Sequence, residues 1–182
     1  MLTDPGWLQA IPLIPTALFS RTKLLSERPA LVAARAGTLA WIVAGPIMVL
    51  LVVSLGLTIE PDFVLTGFIV GGTGALAAFG IMKLRGGRIE SAVASPEPVI
   101  LFIGHAGVLT AMATVPQLSA FVCYFLGGGV PVTAFGVAMS WILLLGPARP
   151  GRRLVESVAT RMVPPLSPDV LWDLVAAPEQ DT

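Results

Sequence analysis

His105 is the first residue to weigh, because it is the chain's sole histidine and stands in a long uncharged stretch, residues 99–145. An imidazole can move a proton, ligate a metal or bridge to a neighbouring subunit. Inside a membrane an ionisable group costs several kcal/mol unless it is partnered, so it marks a function or a fixed contact. A metal site needs several ligands, and the chain has no second histidine to share one. Three readings are left: a neutral imidazole held by a hydroxyl or backbone group of a neighbouring helix, a contact with another subunit, or proton or ligand handling. At about 100° per residue, Leu101, Leu109, Met112 and Pro116 share the face of His105, and Gly104, Gly107, Ala111 and Thr114 lie on the other side. If the small face packs into a bundle, His105 looks outward, towards a partner.

The other candidates for chemistry are weaker. Glu60 and Asp62 mark the outer mouth of a hairpin and read as a solvated turn rather than a cation site. Gly71–Gly72–Thr73–Gly74 is glycine-rich like a phosphate loop, but it lacks the following Lys and lies inside an apolar helix, so packing explains it. Cys123 is alone, which excludes an internal disulfide and a cysteine-based zinc site. No pair of carboxylates falls within an apolar stretch. The expectation is a non-catalytic protein with no cofactor and no metal.

These residues must be positioned by helices in lipid. Of 182 residues, 55% are hydrophobic and only 12% charged, against about 25% charged in a soluble domain. The fold class is therefore an all-α integral membrane protein. The 11 basic and 11 acidic residues cancel, so net charge points to no nucleic-acid partner. Four spans fit, at about 31–57, 63–82, 101–127 and 131–147. They divide the chain into an N-terminal interfacial segment (1–30), a four-helix transmembrane domain (31–147) and a cytoplasmic amphipathic tail (148–182). At 1.5 Å per residue the first span reaches roughly 40 Å, against a hydrocarbon core of about 30 Å. It must tilt, protrude or kink, and Pro46 is the natural kink. Arg35 lies one turn in and can snorkel to the headgroups.

Small residues recur at helical spacing on two of the spans. Gly67, Gly71, Gly74 and Ala78 form one strip, and Ala33, Gly37, Ala40 and Ala44 another. Such strips let helices approach closely where lipid removes the hydrophobic drive, and the two are expected to face each other. Residues 36–46 and 106–116 share Ala, Gly, Leu and Pro at an offset of 70, and an offset of 69 sets Gly67 on Gly136 and Gly71 on Ser140. That match is compatible with a duplicated hairpin whose halves run parallel.

Four spans put every basic residue on one side: Arg21, Lys23, Arg28 and Arg35, then Lys83, Arg85 and Arg88, then Arg149, Arg152, Arg153 and Arg161. The positive-inside rule makes that side cytoplasmic, with both termini inside. An Arg-, Ala- and Gly-rich composition points to a bacterial inner membrane. In the tail, Leu154, Val155, Val158 and Met162 line one face of a short helix suited to anionic lipid. Ser167 and Pro168 open a second helix, whose Val170, Leu171, Trp172, Leu174 and Val175 need lipid or a protein groove. His105, Leu171, Trp172, Leu174 and Val175 are thus the expected partner contacts. The function expected is that of an accessory subunit in a larger bacterial cytoplasmic-membrane complex for transport or secretion. The alternative is a homo-oligomeric channel or small permease.

Overall fold

A computed structural model describes residues 6–18, 29–56, 61–84, 97–162 and 164–177. After a short 3-10 helix at Leu8–Leu13, the helices are α1 (Ile14–Leu18), α2 (Ala30–Leu55), α3 (Pro61–Leu84), α4 (Pro98–Cys123), α5 (Gly129–Leu145), α6 (Arg152–Ala159) and α7 (Pro168–Ala176). Three stretches, Ala30–Leu55, Val64–Ile81 and Pro98–Leu126, are long and apolar enough to cross a membrane. The protein is a multi-pass membrane protein built of helices. Glu60 lies outside the described residues, as do Arg21, Lys23, Arg28, Arg85 and Arg88.

The chain forms two compact units, one of residues 1–40, 86–109 and 149–182, the other of 41–85 and 110–148. In the second unit the helix directions follow from which residues meet. Met48 meets Gln117 and Val52 meets Tyr124, so α2 and α4 run parallel. Gly67 faces Val132 and Gly71 faces Phe135, so α3 and α5 also run parallel. Gln117 meets Ser140 and Ala120 meets Gly136, which sets α4 and α5 antiparallel. A duplicated hairpin requires this arrangement.

Pro116 does not break its helix, since α4 is continuous from Pro98 to Cys123. It widens into a π-helical turn, Tyr124–Gly128, and α5 begins at once on Gly129 with φ of 69°. That left-handed backbone suits glycine and lets the chain reverse without a loop.

The strip on α3 is a packing face, but its neighbours differ from those expected. A Cβ on Gly67 would stand 2.7 Å from a methyl carbon of Val132, and Gly74 looks towards Val115 and Ser119. Phe68 and Phe135 add an edge-to-face contact with centroids 5.2 Å apart. The strip thus receives the large side chains of α4 and α5, because a notch is filled best by a knob. On α2, Ala40 is buried, but Ala33, Gly37 and Ala44 are only half-buried and a Cβ on Gly37 would meet nothing. The close approach lies one residue on, at Gly45, where a Cβ would stand 2.7 Å from Val137 Cγ1.

In the first unit Ala10, Val32 and Ala36 form a small core, flanked by Leu13, Ala17 and Leu39. The N-terminal segment therefore covers the start of α2. Leu154, Val155, Val158 and Ala159 of α6 are buried, as are Leu171, Trp172, Val175 and Ala176 of α7.

Candidate functional site

Two polar side chains of α5 bond beside the in-helix prolines Pro46 and Pro116. Pro46 has no N–H, so the Ile42 carbonyl one turn earlier loses its helical donor. Trp141 Nε1 donates to that carbonyl at 3.2 Å. One residue earlier on α5, Ser140 Oγ accepts the Gln117 backbone N–H at 2.9 Å, just past Pro116. Consecutive residues of α5 thus bond beside both prolines. Tyr124 OH donates to the Val52 carbonyl at 2.8 Å, filling one of the acceptors that the end of α2 leaves open. These bonds require close helices, and Gly136 supplies the closest approach. A Cβ there would collide with Ala120 Cβ and stand 2.6 Å from the Pro116 carbonyl oxygen.

Gln117 is fully buried beside this clip. Its Nε2 donates to Met48 Sδ at 3.0 Å, and its Oε1 lacks a hydrogen-bond partner among the described residues. An unsatisfied buried acceptor costs about 1–3 kcal/mol, while the bond it accompanies is worth about 1 kcal/mol. Gln117→Leu should therefore leave the unfolding free energy within about 1 kcal/mol of wild type or raise it, read by denaturant titration in detergent.

Four hydroxyls of the spans bond to backbone carbonyls. Thr38 donates to Ala34 O, Thr73 to Ile69 O, Thr114 to Ala111 O and Ser54 to Leu51 O, each a bond back to the preceding turn. Among the described residues no three His, Cys, Asp or Glu side chains gather as they would around a metal.

His105 is half-buried on α4. The residues that turn inward on this helix are Phe102, Ala106, Leu109 and Ala113. Gly104 and Gly107 are exposed, and a Cβ on either would meet nothing within 4 Å. Gly104, Gly107 and Ala111 of the small face are open while Thr114 is buried, so the face does not pack inward as a whole, contrary to the premise that turned His105 outward.

Arg35 also departs from expectation. It does not reach out to solvent: it is 1% exposed, and its Nε donates to the Pro150 carbonyl at 3.2 Å. Its guanidinium lies 5.3 Å from the centre of the Trp7 ring, and that of Arg149 lies 5.5 Å from the same ring. A sequence carries no signal for this, since a basic residue one turn into a span reads as a snorkelling anchor.

The tail corrects a second premise. Leu171 and Val175 are fully buried and Trp172 is 5% exposed, so these three contacts are already covered within the chain. Leu174 and Val170 stay exposed. Arg152 joins the tail helices, pairing with Glu156 at 3.3 Å and with Asp169 at 2.9 Å. Ser167 precedes α7 in extended backbone with Pro168 as its first residue, but the serine side chain makes no capping bond.

Comparison with protein-family models, with curated proteins and with solved structures returns no match.

Proposed function

We propose that the protein is a non-catalytic, four-span subunit of a larger bacterial cytoplasmic-membrane complex for transport or secretion, with both termini in the cytoplasm. The fourth span is α5, 17 apolar residues antiparallel to α4 and at the lower limit for a crossing. The basic residues fall on one side only with four crossings.

The observation that carries the reading is the open notch on α4. Gly in a helix interior costs about 1 kcal/mol relative to Ala, and Gly104 and Gly107 stand exposed within one turn. Exposed Ile100 and Ile103 flank them. Among the described residues nothing lies within 4 Å of a Cβ built at either glycine, and in lipid such a notch stabilises association by letting a second backbone approach. The bonds of Thr38, Thr73, Thr114, Trp141 and Tyr124 to backbone carbonyls support a structural role over a catalytic one. With Leu171, Trp172 and Val175 of α7 covered by their own chain, α4 rather than the tail is the docking element.

The test is a mild-detergent pull-down from native membranes, with mass spectrometry of what stays bound. Wild type should retain a stoichiometric set of larger membrane proteins. Gly104→Leu with Gly107→Leu should lose them at least ten-fold while keeping its unfolding midpoint, since the new side chains enter open space. Full retention by the double variant would overturn the α4 interface. Recovery of wild type only with copies of itself would replace the accessory role with a homo-oligomer.

A further inference from the structure

The first unit holds a second surface that the accessory role does not use. Where α5 ends at Leu145, the chain turns through Gly146 to Gly151 and enters α6 at Arg152. The buried Arg35 grips this turn at the Pro150 carbonyl, which fixes the neighbouring Arg149 against Trp7. Arg152 is occupied by Glu156 and Asp169. Arg149 and Arg153 are exposed, and neither has a carboxylate partner among the described residues. The segment that carries Trp7 also exposes Leu8 at 79% and Ile11 at 49%.

We propose that Arg149, held over the Trp7 ring, with exposed Leu8 and Ile11 on the segment that carries Trp7 and exposed Arg153 four residues further along the chain, forms a site for the headgroup phosphate of an anionic phospholipid. Three arguments converge on this occupant. Arg149 follows the apolar end of α5 at Leu145 by four residues and Arg153 lies in the first turn of the next helix, which sets them at headgroup depth rather than in hydrocarbon. Their fixed charge complements a leaflet surface of opposite sign, and a guanidinium offers the planar fork that phosphate oxygens accept. Exposed Leu8 and Ile11 cost least against acyl chains, and an indole suits the boundary between chains and headgroups. Arg35 is a positioning residue here: it holds the turn and does not touch the lipid.

The site rests on membrane residence and not on the accessory role, so the test uses the purified full chain alone. The chain is exchanged from detergent with phosphatidylglycerol or with phosphatidylcholine of the same acyl chains, and bound lipid is counted by native mass spectrometry. Wild type should retain phosphatidylglycerol in preference. Each arginine near an anionic surface contributes about five-fold, so Arg149→Gln with Arg153→Gln should reduce the preference by about thirty-fold. Arg149→Lys with Arg153→Lys should keep most of it, which separates lost charge from lost fold. An unchanged preference in the glutamine pair, or an equal loss in the lysine pair, would overturn the site. Displacement of the lipid by millimolar inorganic phosphate would also overturn the lipid assignment and make this a site for free phosphate.

Discussion

Gly136→Val should destabilise the protein by about 3 kcal/mol, the upper end for forcing extra carbon into a packed interior. At this position a Cβ would already collide with Ala120 Cβ and approach the Pro116 carbonyl oxygen to 2.6 Å. Neither obstacle is the free end of a flexible side chain, so relief requires α4 and α5 to separate. Separation would also loosen the Ser140 bond to the Gln117 N–H at the same level. The measurement is reversible unfolding by denaturant titration in mixed micelles, followed by Trp emission. A matched control is Gly72→Val, where a Cβ would meet nothing. That variant should lie within about 1 kcal/mol of wild type, since only helix propensity changes. Equal losses at the two positions would show that helix packing at Gly136 is not the cause.

The second large effect is expected at Trp141. Trp141→Phe keeps a ring of similar bulk but removes the Nε1–H that donates to the Ile42 carbonyl. The carbonyl has no helical donor because residue 46 is proline, so the loss leaves an unpaired acceptor within the bundle at a cost of about 2 kcal/mol. Restoring the helical donor should remove most of that cost. In a Pro46→Ala background the backbone N–H of residue 46 can bond Ile42 directly, so Trp141→Phe should then cost under about 1 kcal/mol. A double-mutant cycle on unfolding free energies reads the difference. If the two substitutions add without coupling, Trp141 contributes by its ring and not by its donor.

Both predictions turn on positions that the sequence flags only in part. The matching prolines 46 and 116 are visible in the chain, as are Gly136 and Ser140 at the offset that pairs them with Gly67 and Gly71. What cannot be read is that consecutive residues of one helix bond beside both prolines, because hydrogen bonds across 99 and 23 residues of separation leave no local pattern. The strip from Gly67 to Ala78 was legible as a packing face. Its occupants, Val132, Phe135 and the side chains of α4, depend on crossing geometry that a helical wheel does not contain. Arg35 illustrates the same boundary. Its depth in the span follows from the sequence, and its turn towards the Pro150 carbonyl follows from a segment that arrives 115 residues later.

Composition and spacing by themselves determined the class of this protein. Long uncharged runs can satisfy their backbone polar groups in lipid only by coiling into helices, so spans and kinks are written locally. Which face of each helix looks inward was decided by tertiary structure alone. In a soluble helix the polar face marks the outside, but here both faces are apolar and lipid is no less welcoming than a neighbouring helix. The choice then falls to shape. Gly67 and Gly136 are inside because a partner fits their notches, and Gly104 and Gly107 are outside because none among the described residues does.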